Sequence, residues 1–398
     1  MLNRKILIIF ILLLLFLKVF SLIAFDDVLH DRLCKVVILG MSIFVYLKIG
    51  IKNDIFLDKI NVLLLSIPFF SIISANIIHG QSLLDSISVT IINLTYAFYF
   101  FIIYKNPRKD QIIKLLVFLG VCWSIINIVQ QFSSPFVLFM EQKFSVRNGL
   151  INFFIFGKDL GVLIIFYFFN SLFTRRSISK NIIGLFIGLG AIYCLGTRQI
   201  FLTIGFCLVV GLFYYNKINF KHLCLLVILF GFLFFNFDKL FGEFIAMSSN
   251  DDWSVQARQL SWYFYGYEYN GSNIISIILG NGREMTTSAY GKEIDAFQNY
   301  FGEGRGYWRD DIGVVGLYSY YGLVYVVVII SYFIYVFRNF KYIPAFLRMY
   351  VWYTLLTSAT LYHFSAHYSV MAISCMVNYI IRQSILEGKS QFVQKRRL

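Results

Sequence analysis

Charged residues are scarce in this sequence. They make up 14 % of its 398 residues, whereas 59 % are hydrophobic and the mean hydropathy is +0.71; an ordinary soluble domain has roughly 25 % charged residues. Apolar runs of about 20 residues recur along the chain, and a helix of that length crosses a hydrocarbon core of about 30 Å. The composition excludes an ordinary soluble protein and predicts a polytopic membrane protein.

Prolines are few, and the cysteines form no recognisable motif. There are only four prolines and no Pro/Gly/Ser-rich linker, so we expect a single membrane domain over 1–398. The six cysteines lie in or beside apolar runs at no metal-ligand spacing, and we interpret them as small core residues. The first apolar run, 6–24, is too long for a signal-peptide core and lacks a small-x-small cleavage site, so we expect a retained span.

The basic residues predict the topology. The formal net charge is +14, but the bases flank apolar runs and form no contiguous patch, so they indicate membrane orientation and not nucleic-acid binding. Alternate connections, with both termini, hold 22 bases and four acids. Because Lys and Arg gather on the cytoplasmic side, we predict cytoplasmic termini. About twelve transmembrane helices are expected, at 6–24, 33–50, 60–78, 84–104, 111–131, 150–173, 181–196, 199–216, 220–236, 312–337, 344–363 and 367–386.

One long polar stretch, 238–311, interrupts the apolar pattern between the ninth and tenth spans. It holds eleven acidic and six basic residues, a net charge of −5. Charged and unpaired backbone groups cost several kcal/mol each in hydrocarbon, so this stretch must lie at a membrane face. The charge pattern of the chain predicts that the polar stretch lies at the extracytoplasmic face.

Six arginines on the predicted outer side run against the charge rule, and an anionic ligand would explain them, because guanidinium binds phosphate oxygens in a bidentate manner. They are Arg147, Arg198, Arg258, Arg283, Arg305 and Arg309. Arg198 follows a short connection and is expected level with a lipid headgroup, where the alternative is snorkelling or helix capping. Arg258 and Trp262 share one face of a predicted helix, and the alternative for Arg258 is a salt bridge to Asp251 or Asp252.

The segment before the tenth span combines rings and charges. Asp310 and Asp311 follow Trp308 and Arg309, so a carboxylate could deprotonate a sugar hydroxyl beside an aromatic ring that stacks on a sugar face. The alternative is that the aspartates cap the tenth span. His363 and His367 could share a metal, but no third ligand is evident nearby, which favours interfacial hydrogen bonding.

Several short motifs resemble those of the bacterial O-antigen polymerase (Wzy) family, within the O-antigen polymerase and ligase superfamily. About twelve spans with a large outer loop in the last third match that architecture. Asp311 stands where the ligases carry a His, which favours a polymerase. The matching segments are Arg147-Asn148-Gly149 with Asp159-Leu160-Gly161, Arg198 to Leu202, Arg258 to Trp262, Leu279-Gly280-Asn281-Gly282, and Asp311-Ile312-Gly313 with Gly316 and Gly322.

The resemblance implies a glycosyltransferase that polymerises undecaprenyl-pyrophosphate-linked repeat units at the periplasmic face of a bacterial inner membrane. Lipid-linked donor and acceptor glycans would be its partners, with a chain-length regulator as an open question. We expect arginines to hold pyrophosphate, Asp311 or Asp310 to act as base, and no cofactor or metal to be needed. The alternatives are an O-antigen ligase, which differs only in its acceptor, and a flippase, which would show inverted repeats and broken spans.

Overall fold

The structure is a computed structural model, and its architecture is almost wholly helical. The residues that it describes are 4–48, 55–133, 138–139, 145–147, 150–153, 155–174, 177–213, 253–271, 273–302, 306–365 and 367–397. The predicted ninth span, 220–236, lies outside them.

Fourteen α-helical segments and one short hairpin make up the described chain. The helices are α1 Arg4–Phe16, α2 Asp27–Lys48, α3 Phe56–His79, α4 Leu83–Lys105, α5 Lys109–Ser133, α6 Lys158–Phe173, α7 Ile178–Cys194, α8 Arg198–Leu212, α9 Trp253–Tyr263, α10 Ile274–Leu279, α11 Ala289–Gln298, α12 Gly313–Arg338, α13 Ala345–Thr357 and α14 Tyr368–Arg397. The strands β1 Ser145–Arg147 and β2 Leu150–Asn152 pair antiparallel.

Five helices in the described part are long and apolar enough to cross a membrane. They are α3, α4, α5, α12 and the Tyr368–Gln391 part of α14. Many large apolar side chains on these helices face outward, among them Phe70, Phe118 and Val327. Outward-facing hydrophobic side chains are stable in lipid and costly in water, so the prediction of a membrane protein is confirmed.

Several predicted spans differ locally from uninterrupted α-helices, and the sixth, 150–173, begins with strand β2 and is helical only from Lys158. The apolar run 6–24 is helical only as far as Phe16, and residues 18–21 have left-handed backbone angles. Lys18 is buried at this break and pairs with Asp27, which compensates its charge. Helix α4 includes a 3₁₀ turn at Ile91–Tyr96.

The described part of the polar stretch, from Trp253, packs against one end of the bundle, which we call the loop end. Gln81 follows α3 and donates to the Arg283 carbonyl at 2.9 Å. Trp262 donates to the Ala359 carbonyl between α13 and α14 at 3.3 Å. Connections that are predicted to share one membrane face therefore meet in the structure.

The opposite end is held by buried polar contacts between distant helices. Asp58 in the first turn of α3 accepts from Arg382 of α14 at 3.0 Å and from the Tyr99 hydroxyl of α4 at 2.6 Å. Asn61 and Asn378 bond one turn deeper at 3.0 Å. These side chains are buried, so a lost partner would leave an uncompensated polar group.

Candidate functional site

A tight turn from the polar stretch is inserted into a break in α12. Gly322 interrupts the helix with φ +75°, and the Asn281 and Gly282 amides donate to the Ser319 and Tyr320 carbonyls at 2.9 and 2.8 Å. A Cβ on Gly280 would lie 2.4 Å from the Tyr320 carbonyl group. Only glycine permits this approach, and it fixes the start of the segment that carries Arg283.

The end of α3 holds the same turn from the other side. Gln81 donates to the Arg283 carbonyl and accepts from the Met285 amide at 2.8 Å. The His79 ring stacks on Tyr290 at 4.1 Å and lies 3.2 Å from the Asn281 side-chain oxygen. The backbone around Arg283 is therefore attached to two membrane helices.

Arg283 lies beside Tyr320 and Asp310. Its guanidinium is 5.5 Å from the centre of the Tyr320 ring, a cation–π contact. The Tyr320 hydroxyl donates to an Asp310 carboxylate oxygen at 3.3 Å. Arg283 is only partly buried and Asp310 is exposed, so both remain accessible to a ligand.

Arg309 has a different environment, in the core of the polar stretch. It is 1 % exposed, its Nη2 lies 2.7 Å from a Glu284 oxygen, and its Nη1 donates to the Tyr290 hydroxyl at 3.1 Å. Tyr320 and Tyr265 place their rings 4.4 and 5.4 Å from it. Burial opposes the charge, but the Glu284 carboxylate raises the pKa of Arg309 above its usual value. This contact pattern is that of a structural ion pair.

His367 completes a recess with Arg283 and Asp310. The pKa of His367 is lowered to about 4, mainly by the surrounding protein and then by the charges of Arg283 and Lys158, while Asp310 acts against them. The ring remains exposed to solvent and contacts Phe156 at 5.4 Å. We use the name recess for the region at the loop end where Arg283 and Asp310 both contact Tyr320, together with His367 and Lys158, because the charges of Arg283, Asp310 and Lys158 all act on the pKa of His367. The His367 imidazole there is neutral near pH 7.

The segment before His367 is fixed by hydroxyl groups of the bundle. Tyr96 and Tyr325 both donate to the Phe364 carbonyl at 2.9 Å. Ser365 bonds to Tyr321 at 3.1 Å and to Asn93 at 3.2 Å. Because rigid supports keep functional groups in place, the segment holds one wall of the recess.

His363 is buried nearby, and its contacts are hydrogen-bonding and charged side chains of the protein. Its Nε2 lies 2.7 Å from the Thr357 hydroxyl, and its Nδ1 lies 3.8 Å from Asp159. Burial lowers the pKa of His363 to about 4. His363 thus makes a hydrogen bond to α13, as expected, although it does so in the protein interior and not at an interface.

The other predicted site residues lie apart from this recess or are incompletely described. Arg258, Trp262 and Trp308 are exposed on the polar stretch. The backbone of Arg147 ends β1 and that of Arg198 begins α8, whereas Arg305 lies outside the described residues. Asp311 is exposed, and the residue that precedes α12 is Ile312 with no side-chain cap, so neither aspartate is the helix N-cap. The ligand roles of these residues stay predictions.

Sequence reasoning did not select three members of the site. Lys158 follows Gly157 at the start of an apolar run. Like the six arginines, it is a base on the predicted outer side, and this could have marked it as a candidate ligand for an anion. His367 was considered only as an interfacial or metal-binding group. Tyr320 lies inside a span, and nothing in the sequence separates it from the chain's 26 other tyrosines.

The fold defines an α-helical membrane protein with a polar segment packed on one end of the bundle. The recess lies where that segment meets the helices. The chain matches no protein-family model, and no curated protein shows significant similarity to it.

Proposed function

We propose that this protein is a membrane glycosyltransferase that polymerises undecaprenyl-pyrophosphate-linked oligosaccharide repeat units into O-antigen or a related surface polysaccharide. In this proposal the chain has about twelve spans, both termini are cytoplasmic, and the loop end faces the periplasm of a bacterial inner membrane. The proposal rests on the family resemblance of the motifs and on the chemistry of the recess.

The observation that carries the proposal is that Arg283 and Asp310 both contact Tyr320 at the loop end, where the charges of Arg283, Asp310 and Lys158 all act on His367. Two cations suit the phosphates of a lipid pyrophosphate, whose headgroup lies level with the ends of membrane helices. A carboxylate and a neutral imidazole can each accept a proton. The recess therefore combines groups for an anionic leaving group and for an attacking hydroxyl.

The reaction would proceed by direct displacement. A sugar hydroxyl of the acceptor unit gives its proton to Asp310, and its oxygen attacks the anomeric carbon of the growing chain. The bond from that carbon to the pyrophosphate oxygen breaks, and the lipid pyrophosphate leaves with the electron pair. Arg283 and Lys158 stabilise its charge, and the anomeric centre is inverted.

The position of Arg283 favours it as the main pyrophosphate ligand. The Gly280–Gly282 turn and Gln81 fix its backbone, and Tyr320 lies under its guanidinium. Arg283 is partly exposed, whereas the Arg309 side chain is buried. Arg198 and Arg258 stay as further predicted contacts for the second lipid-linked unit.

The test is the glycan banding pattern of a deletion strain that carries Arg283→Ala. Removing one preorganised charge-stabilising group typically lowers a rate by about a hundredfold to a thousandfold, so single repeat units should replace the polymer ladder. Lys292→Ala is the matched control, because Lys292 is an exposed base of the same polar stretch, and its ladder should be normal.

Two results would contradict the proposal. One is an unchanged ladder in Arg283→Ala at normal protein level, which would remove Arg283 from the reaction. The other is the accumulation of single units inside the cell in the deletion strain, which would indicate a flippase. Single units displayed outside on lipid support polymerisation.

A further inference from the structure

A second polar cavity lies at the opposite end of the bundle from the recess. Its volume is about 580 Å³, and it opens between α5, α6 and α13. Sites for small molecules commonly have volumes of about 300–1,000 Å³. The lining includes Arg108, Lys109, Asp110, Lys114, Tyr167 and Phe346.

Two cations of this cavity have no protein partner within the described chain. The Arg108 guanidinium and the Lys114 ammonium are exposed, and neither makes a side-chain hydrogen bond or ion pair with a described residue. Arg108 directly precedes α5 and Lys114 lies in its second turn, and both line the cavity. Lys109, in contrast, pairs with Glu387 of α14.

The helix ends around the cavity add to its positive potential. The first turns of α5 and α13 both contribute lining residues. A helix N-terminus carries a partial positive charge and amide groups without intrahelical partners. Asp110 is the one acid among the described lining residues, and it opposes an anion there.

The connection that forms the rim is fixed in place. Lys109 is held by Glu387, and the Pro107 carbonyl accepts from the Tyr379 hydroxyl of α14. Arg108 lies between these two anchors. Its guanidinium is thus presented to the cavity from a backbone that is tied to a membrane helix.

Aromatic and aliphatic groups form the other wall. Phe346 is buried, Tyr167 is half-buried and their rings contact at 5.6 Å, while Ile113 lies on the first turns of α5. A free phosphate ion gains nothing from contact with an apolar wall. A lipid headgroup does gain from it, because the glycerol and the first methylene groups of the acyl chains would pack against this wall between the polar rim and the hydrocarbon.

We propose that this cavity binds the phosphate of an anionic glycerophospholipid, through Arg108 and Lys114, with the acyl chains lying along the outside of α5 and α6. Basic pockets between membrane helices are suited to anionic headgroups. This inference does not depend on the proposed glycosyltransferase activity.

The test is native mass spectrometry of the full-length protein in detergent, titrated with phosphatidylglycerol or phosphatidylcholine. Wild type should bind phosphatidylglycerol more tightly, and Arg108→Gln/Lys114→Gln should weaken this binding by roughly twenty-five-fold, since each basic residue contributes about fivefold near anionic lipid. The matched control Lys59→Gln/Lys180→Gln removes two exposed charges in the first turns of α3 and α7 and should keep the preference.

Two further measurements separate the sources of phosphate and exclude misfolding. Asp110→Asn should tighten phosphatidylglycerol binding, because it removes the opposing charge while the fold is unchanged. Equal binding of phosphatidylglycerol by wild type and the double variant would overturn the proposal. Displacement of the lipid by an equal concentration of soluble glycerol 3-phosphate would also overturn it, because the site would then recognise free phosphate.

Discussion

The ion pair between Arg309 and Glu284 offers a direct test of what holds the polar stretch together. Arg309 is 1 % exposed, whereas the Glu284 side chain is 18 % exposed. Arg309 Nε has no hydrogen-bond partner among the described residues. Glu284→Ala would leave this guanidinium with tyrosine contacts as its main compensation.

The expected cost follows from the degree of burial. Breaking a fully buried pair by removing one partner costs about 3–5 kcal/mol. Because Glu284 is partly exposed and the Tyr320 ring still covers the cation at 4.4 Å, we expect the lower end, about 3 kcal/mol. Glu284→Gln keeps an acceptor and should cost about half as much.

The suitable assay is amide hydrogen exchange of residues 281–298 in the full-length protein in detergent. Local opening controls such exchange, and a loss of about 3 kcal/mol increases the open population by roughly a hundredfold. Glu293→Ala is the matched control: its pair with His79 is longer, 3.5 Å, and Glu293 is 44 % exposed. Exposed pairs contribute about 0–1 kcal/mol, so exchange should rise by less than about sixfold.

The reasoning would be refuted by equal exchange in Glu284→Ala and Glu293→Ala. Such a result would mean that the aromatic rings alone hold Arg309, and that the carboxylate adds no stability. A rise confined to residues outside 281–298 would also contradict it, because the ion pair lies within the polar stretch.

Two further predictions concern the membrane helices. Asp58→Ala removes the carboxylate that pairs with the buried Arg382 and should lower the free energy of unfolding by about 3–5 kcal/mol, measured by thermal unfolding in detergent. The control Glu387→Ala, at a half-exposed ion pair, should have little effect. Equal shifts in the two variants would contradict a stabilising role of the buried Asp58–Arg382 pair. Gly280→Ala places a methyl 2.4 Å from a backbone carbonyl at φ +76°, so polymer formation should fall sharply. Gly205→Ala, with open space around its Cβ, should leave the glycan ladder unchanged, and a normal ladder in both variants would show that the turn tolerates displacement.

Local sequence signals were sufficient for part of the polar stretch, although not for α11. The segment 255–262 was predicted to be helical and lies within α9, and Gly280 directly follows α10. These features depend on residues close together in the chain, such as the glycines that end α10. Predicting them required no knowledge of distant contacts.

The arginines show where sequence reasoning stops. Arg283 and Arg309 are both bases in a polar stretch on one predicted side of the membrane, and nothing local distinguishes them. In the structure Arg309 is buried against Glu284, 25 positions earlier, whereas Arg283 lies in the recess near His367, 84 positions later. The difference depends on partners that only folding brings together.

The sequence by itself determined that this is a helical membrane protein and where its large polar stretch lies, because hydropathy is a property of consecutive residues and lipid admits only segments that satisfy their own backbone. Tertiary structure decided which charges neutralise one another and which remain accessible. That choice depends on the break in α12 at Gly322 and the turn inserted there, since a few ångströms of backbone position determine whether a guanidinium is buried, as in Arg309, or partly exposed, as in Arg283.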